Sequence, residues 1–447
     1  MNARKDDRAT FLEEINMRRG ISVAAVAGVL ALTATACGGN DTGNGGSKAA
    51  KDPGSVSGSI TWWDTSNEAE APAYEKLVAD FEKKYPKIDV KRVAVPFDQA
   101  QQKFKTAAQA KKGAPDVLRA EVGWTPGFAQ LGYLAPLDGT PALDKADDYL
   151  EGPLEGARMN GKTYAVPQVT DTLALLYNKE ILKKAGITEP PKTWAEIEAA
   201  SKKIESKAKG VKATYVNPDS YFAWPFLYGE GTDMIDVDKK KITINSPEAV
   251  KGVKEAVSLI KSGAAGKPDT TEGYNNMQAQ MASGKLAMIV NGPWATADIL
   301  KGSAFKGNED NLGIAPIPGG TKGSGAPTGG HNLAVYAASK NVDASYLFVR
   351  FLNSAENQAK VAVANNTLPT RTSAYTDKVT ADPVRAAFKG ALDSAKPRPA
   401  HAATGDLFAD LAQNYAKILS GSVTVEEGLD ATAQAWKKKY LKDYSVQ

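Results

Sequence analysis

Cysteine and histidine are nearly absent. Among 447 residues there is one cysteine, Cys37, and there are two histidines, His331 and His401. One cysteine cannot close a disulfide within the chain, so a large core must hold the fold together. The histidines lie far apart in sequence and have no cysteine partner. That excludes a zinc site of the usual histidine or cysteine kind. Neither sign of charge dominates, with 55 Lys and Arg against 51 Asp and Glu. The two signs are interleaved, which leaves no basic stripe for nucleic acid. After Ala36 no apolar run approaches the roughly 20 residues of a membrane span. The glycine-rich run Gly319–Gly325 lacks the Walker spacing, so it reads as a connector and not a phosphate cradle. Any ATPase must be a separate protein, and no cofactor is expected. There is no short-period repeat.

The N-terminus carries a strong signal. Met17, Arg18 and Arg19 begin a basic segment, and Ile21 to Ala36 is uncharged and mostly apolar. A basic region, an apolar region and then small residues read as an export signal. The closing Ala36-Cys37 pair is similar to a bacterial lipoprotein processing site, where the cysteine becomes the lipidated N-terminus. Leu usually stands three residues before that cysteine, and here the place is Ala34. Residues 1–16 are charged and unnecessary to such a signal, so they are expected to be dispensable, with Met17 the working start. Residues 37–57 are rich in Gly, Asn and Ser and predict a flexible tether.

From Gly58 onward roughly 390 residues remain, too many for one ordinary core and enough for two domains. The composition, 42% hydrophobic and 24% charged, is that of a globular protein. Ser59–Trp63 is a strand candidate. Tyr74, Leu77, Val78 and Phe81 follow at helical spacing, with Pro72 in the first turn and Pro86 beyond the end. Ile88–Val95 is a second strand. Strand, helix, strand is the βαβ unit of an α/β fold. Helices are expected over 99–111, after the Thr193–Glu196 capping box, from Ser246-Pro247, and over Met277–Ser283. Leu286–Val290 is a buried strand by length and branching. Residues 311–330, rich in Pro and Gly, read as a long connector that crosses between domains. Ala334–Ala337 is a further strand, and the last hundred residues are mainly helical.

Aromatic residues recur at turns. Trp62 and Trp63, Trp124, Tyr221 and Phe222, Trp224 and Trp294 all follow strands or stand beside Gly or Pro. Such rings suit the C–H faces of pyranose sugars, whose rims need donors and acceptors. Glu68, Glu121, Asp171, Asp219 and Asn291 supply polar groups. A glycoside hydrolase would need two opposed carboxyl groups across one bond, and no local motif marks such a pair. His331, before a strand, could touch ligand or close a turn, and the turn is the favoured reading.

From about Ser59 to the C-terminus the chain resembles the extracellular solute-binding proteins of ABC sugar importers. It is most similar to the maltose/maltodextrin-binding lipoproteins of actinobacteria. The matching segments include Phe81–Lys84, Pro115-Asp116, Gly127–Gln130, Gly161–Pro167, Leu175–Lys179, Pro191–Trp194 and Trp224-Pro225. Gly284–Trp294 is the strongest of them.

The resemblance implies a two-lobed, periplasmic-binding-protein-like α/β fold with a hinge and a ligand cleft between the lobes. The chain would cross between them about three times. The first lobe would comprise residues 58–169 and 328–378, and the second 173–322 and 384–447. Carried onto this chain, the aromatic platforms fall at Tyr221, Trp294 and Phe408, where Phe408 replaces a larger tryptophan. Glu68 and Asp171 match hydroxyl-binding acids. Ala120 stands where relatives carry a stacking tryptophan, so Trp124, beside Glu121, is expected to fill the gap. Arg371 is a further polar candidate. The expected ligand is a malto-oligosaccharide, with trehalose or a β-linked disaccharide as the alternative. The expected partners are the permease subunits of an ABC importer. The protein would be a monomer on the outer face of the cell membrane, held there by lipid on Cys37.

Overall fold

The structure is a computed structural model that describes residues 52–399 and 401–447. The export signal, Cys37 and most of the expected tether lie outside the described residues. Regular structure is present slightly before the expected boundary at Gly58. Pro53–Ser55 form a single turn, and Val56 already packs into a core with Ile60.

The first strand, β1 (Gly58–Asp64), leads into α1 (Ala71–Lys84) and then β2 (Ile88–Ala94). Apolar residues at helical spacing bury Tyr74, Leu77 and Phe81 on one face of α1. β1 and β2 pair in parallel from Gly58 opposite Ile88 to Asp64 opposite Ala94, as a βαβ unit requires. Helix α2 (Phe97–Ala110) then returns the chain to β3 (Val117–Glu121). Four more strands follow: β4 (Ala165–Asp171), β5 (Ala174–Asn178), β6 (Met288–Asn291) and β7 (Leu312–Ala315). They are followed by β8 (Gly329–Val335) and β9 (Leu368–Pro369).

Two sheets divide these strands. The larger has the order β9-β4-β8-β3-β1-β2, and the smaller β6-β5-β7. β1, β2 and β3 run parallel, and β8 lies antiparallel to both β3 and β4, so β4 runs in the direction of β1–β3. The chain passes between the sheets after β4, again after β7, and finally after β9, when its last helices join the core beside the smaller sheet. This is the α/β architecture expected from the sequence, with its three crossings. The 311–330 connector is shorter than expected, because β7 occupies its beginning and β8 starts at Gly329.

Strand parity corrects one pair of candidates. Trp62 and Trp63 are not loop residues, because both lie within β1. Alternation turns Ile60, Trp62 and Asp64 to one face. There Trp62 is wholly buried between Tyr74 and Phe348, at 5.9 and 5.3 Å between ring centroids. Trp62 is core. Among the described residues no helix is long and apolar enough to cross a membrane.

Candidate functional site

The strands of the larger sheet end on a shared edge. Asp64 closes β1, Glu121 closes β3, Asp171 closes β4, and Gly329 opens β8. Asp171 and Gly329 are paired residues. A Cβ at position 329 would collide with the Asp171 carboxyl and lie 2.6 Å from Tyr221 Oη. Glycine at this position lets a buried acid from one sheet meet a ring from the other side.

That ring belongs to an aromatic wall. Asp219 Oδ1 accepts from the Tyr221 N–H at 2.8 Å and caps the short turn Ser220–Ala223. Tyr221 Oη donates to Pro327 O at 3.3 Å. Trp294 and Phe408 stand 6.2 and 6.3 Å from the Tyr221 ring. Trp294 follows Asn291-Gly292-Pro293, where any Cβ on Gly292 would run into the indole. Its Nε1 donates to Tyr274 Oη at 2.9 Å. Phe408 projects from the first turns of the helix Thr404–Leu419. Buried Trp224 backs it, stacked at 4.3 Å and 7°. Trp224 is therefore a supporting layer and not itself a contact surface. Asn291 is buried as well, donating to Gln278 Oε1 and accepting from the Gly292 N–H.

Charged groups lie against the wall. Glu121 accepts from the Gly123 N–H at 2.9 Å. Its other oxygen lies 2.6 Å from Arg398 Nη2. Arg398 Nε donates to Thr328 O at 3.0 Å. The guanidinium sits over the Tyr221 and Phe408 rings, 5.1 and 5.0 Å from their centroids. Burial pushes the Asp171 carboxyl up to about 7, with Arg398 opposing the shift and Glu121 adding to it. His331, paired with Glu121 across β8 and β3, lies in a strand and not in the expected turn. Burial, with Arg119 and Arg398 nearby, holds its imidazole neutral, well below the usual range. Its Nε2 is buried and has no hydrogen-bond partner.

Glu68 is exposed on the loop between β1 and α1. Neighbouring residues fix that loop. Asn67 Oδ1 accepts from the Glu70 N–H at 2.9 Å, and Glu70 Oε2 accepts from the Asn67 N–H at 3.3 Å. Arg119 lies 4.0 Å from the Glu70 carboxylate. Asn67 Nδ2 donates to Trp294 O at 3.5 Å, so the loop bearing Glu68 touches the segment bearing Trp294.

Two expectations need correction. Arg371 does not join this cluster. Its guanidinium donates to Asn353 O, Asp144 O, Lys145 O and Asp148, and it lies flat on Tyr149. It lines a separate hollow of about 500 Å³ together with Lys84, Asp148 and Arg350. Trp124 is near the cluster but 7% exposed, so it offers little surface of its own. Ala120 is wholly buried.

Arg398 and Phe97 carried no mark in the sequence reading. Arg398 stands between Pro397 and Pro399, which stiffen the backbone around it. A charged residue held this way was the one available signal. Among the described residues no group of His, Cys, Asp and Glu is placed to hold a metal ion.

The arrangement sets aromatic rings beside charged groups, the two kinds of surface that a flat, hydroxyl-rimmed molecule needs. Residues 65–359 match the family described as bacterial extracellular solute-binding protein. The fold superposes on the GacH receptor of Streptomyces glaucescens, solved unliganded and with acarbose, with a TM-score of 0.84 and 47% identity. The match covers 87% of this chain and all of that one. Maltose-bound MalE3 of T. maritima gives a TM-score of 0.78 at 25% identity, covering 85% of this chain and 99% of that one. The diacetylchitobiose binding protein DasA of Streptomyces coelicolor is 29% identical over 79% of this chain and 82% of its own. A maltooligosaccharide solute-binding lipoprotein of Streptococcus pneumoniae is 31% identical over 58% of this chain and 60% of its own.

Proposed function

The chain belongs to the bacterial extracellular solute-binding proteins of ABC sugar importers, and from that premise we propose that it captures maltose and maltodextrins. Members of this family bind and deliver a solute and do not catalyse a reaction, and they work with the membrane components of an ABC importer. The observation that carries the sugar reading is the wall of Tyr221, Trp294 and Phe408 set beside Asp171, Glu121 and Arg398. Stacked rings would take the apolar faces of glucose units, and the charged edge would take their hydroxyls. Maltose in the T. maritima relative and maltooligosaccharide in the Streptococcus pneumoniae relative support an α-linked ligand. The likeness to DasA supports a second reading, diacetylchitobiose.

Residues 58–169 with 328–378, and 173–322 with 384–447, are the two lobes in this proposal. Ligand bridging the two sets of groups would favour a closed hinge. Cys37 would carry the lipid that anchors a monomer to the outer face of the membrane. A thermal-shift screen tests the ligand, since binding to the folded state alone raises the unfolding temperature. Maltose, maltotriose and longer maltodextrins should raise it, while trehalose, cellobiose and diacetylchitobiose should not. A shift with diacetylchitobiose alone selects the second reading.

A further inference from the structure

Three large hydrophobic residues are exposed among the described residues: Phe97, Leu131 and Val363. Phe97 is the one aromatic residue of the three, and it is 47% exposed. It opens α2, directly after Pro96, which stands in extended conformation at the N-cap. An exposed ring fixed by the start of a helix loses little freedom when a ligand covers it.

Its surroundings place it beside the cleft and not on the outer flank. Phe97 stacks on Trp124 at 5.2 Å and 29°. It meets His331 edge-on at 5.9 Å. Trp124 in turn abuts the start of the Thr404–Leu419 helix, where a Cβ on Gly405 would lie 3.0 Å from Trp124 Cδ1. Phe408 lies one turn further along that helix. Two more contacts run from α2 to the same helix, from Gln101 and Lys105 to Asp406.

The pair also repeats the construction of the opposite wall. There, partly exposed Phe408 rests on buried Trp224. Here, exposed Phe97 rests on nearly buried Trp124. In both, a tryptophan is the support and a phenylalanine presents a face. Ala120, wholly buried in β3, supplies no such face.

We propose that Phe97 is a further sugar-stacking ring, which takes one hexose unit of an oligosaccharide that extends beyond the Tyr221, Trp294 and Phe408 wall. It would set a preference for chains longer than a disaccharide. This rests on the oligosaccharide reading of the cleft, though not on one linkage. Tyr or Trp at position 97 should serve as well as Phe, because each offers a flat apolar face.

Calorimetric titration of maltose, maltotriose and maltotetraose into wild type, Phe97→Ala, Phe97→Tyr and Leu131→Ala tests it. Phe97→Ala should weaken the longer sugars about tenfold while changing maltose by less than about twofold. Phe97→Tyr and Leu131→Ala should match wild type. Equal affinities in Phe97→Ala for every length overturn the proposal, including the case where sugar uptake by cells falls. That result would make Phe97 a contact for the importer. Binding of chito-oligosaccharide and not maltotriose by wild type overturns the maltodextrin reading alone, and the same length comparison is then made with that sugar. A wild type that binds neither overturns both.

Discussion

Arg398 Nη2 lies 2.6 Å from Glu121 Oε1, and both side chains are nearly buried. The pair joins the end of β3 to the segment before the Thr404–Leu419 helix, with the Tyr221 and Phe408 rings beneath the guanidinium. Removing one partner leaves the other charge buried and uncompensated, which typically costs about 3 to 5 kcal/mol. Glu121→Gln should therefore destabilise the protein strongly in urea unfolding. The double variant Glu121→Gln with Arg398→Gln should recover part of that loss. Additive losses would mean that the pair is not coupled in solution.

Phe408 and Trp224 are stacked nearly parallel but have different duties. Trp224 is wholly buried, and Phe408 is partly exposed. Trp224→Ala should cost roughly 3 to 5 kcal/mol of stability through the cavity it leaves. Phe408→Ala should weaken sugar binding with a much smaller loss of stability. Chemical denaturation and calorimetry on both variants separate the two effects. An equal stability loss would make Phe408 a core residue.

Asp171 predicts a pH dependence. Its carboxyl is raised to about 7 in the folded protein, chiefly by burial. The folded state thus holds a proton that the unfolded chain releases near pH 4, and stability from this group is lost as pH rises through 7. Asp171→Asn removes the titration. The melting temperature of wild type should therefore fall relative to the variant between about pH 5 and about pH 8. A constant difference across that range would mean that burial does not raise the Asp171 carboxyl above about pH 5.

The fold was largely readable from the sequence, because its signals are local. The period of Tyr74, Leu77 and Phe81 and the alternation in Ile88–Ala94 each need only a few neighbouring residues. The ring candidates were harder. Trp62 and Trp63 look alike in sequence, and the parity of β1 decides which one enters the core. Trp224 and Trp294 both stand beside proline, yet one is buried behind Phe408 and the other is partly exposed beside Tyr221. The choice depends on Phe408, nearly two hundred residues away in sequence from Trp224. Arg371 and Arg398 differ in the same way. One is satisfied by backbone carbonyls around Asp144 and Lys145, and the other reaches an acid and two rings. Partners so distant in sequence leave no spacing to read.

Anchoring has its own test. The apolar segment ending at Ala36-Cys37 predicts lipid on Cys37. Cells expressing the protein should hold it in the membrane fraction, and Cys37→Ser should abolish labelling by a lipid precursor. Label retained by that variant would refute anchoring at Cys37. Deletion of residues 1–16 should leave export unchanged.

The central claim is that a malto-oligosaccharide stacks on the Tyr221, Trp294 and Phe408 wall. Trp294 touches Tyr274 through its Nε1 and the β1–α1 loop through its carbonyl, and it keeps a ring face near Tyr221. Calorimetric titration of maltotriose into wild type and Trp294→Ala is the most direct measurement. Wild type should bind one sugar per chain, and the variant should bind at least about thirtyfold more weakly, the effect of losing about 2 kcal/mol from a buried contact. No heat from wild type with maltotriose, or less than about a threefold change in a folded Trp294→Ala, would contradict the account.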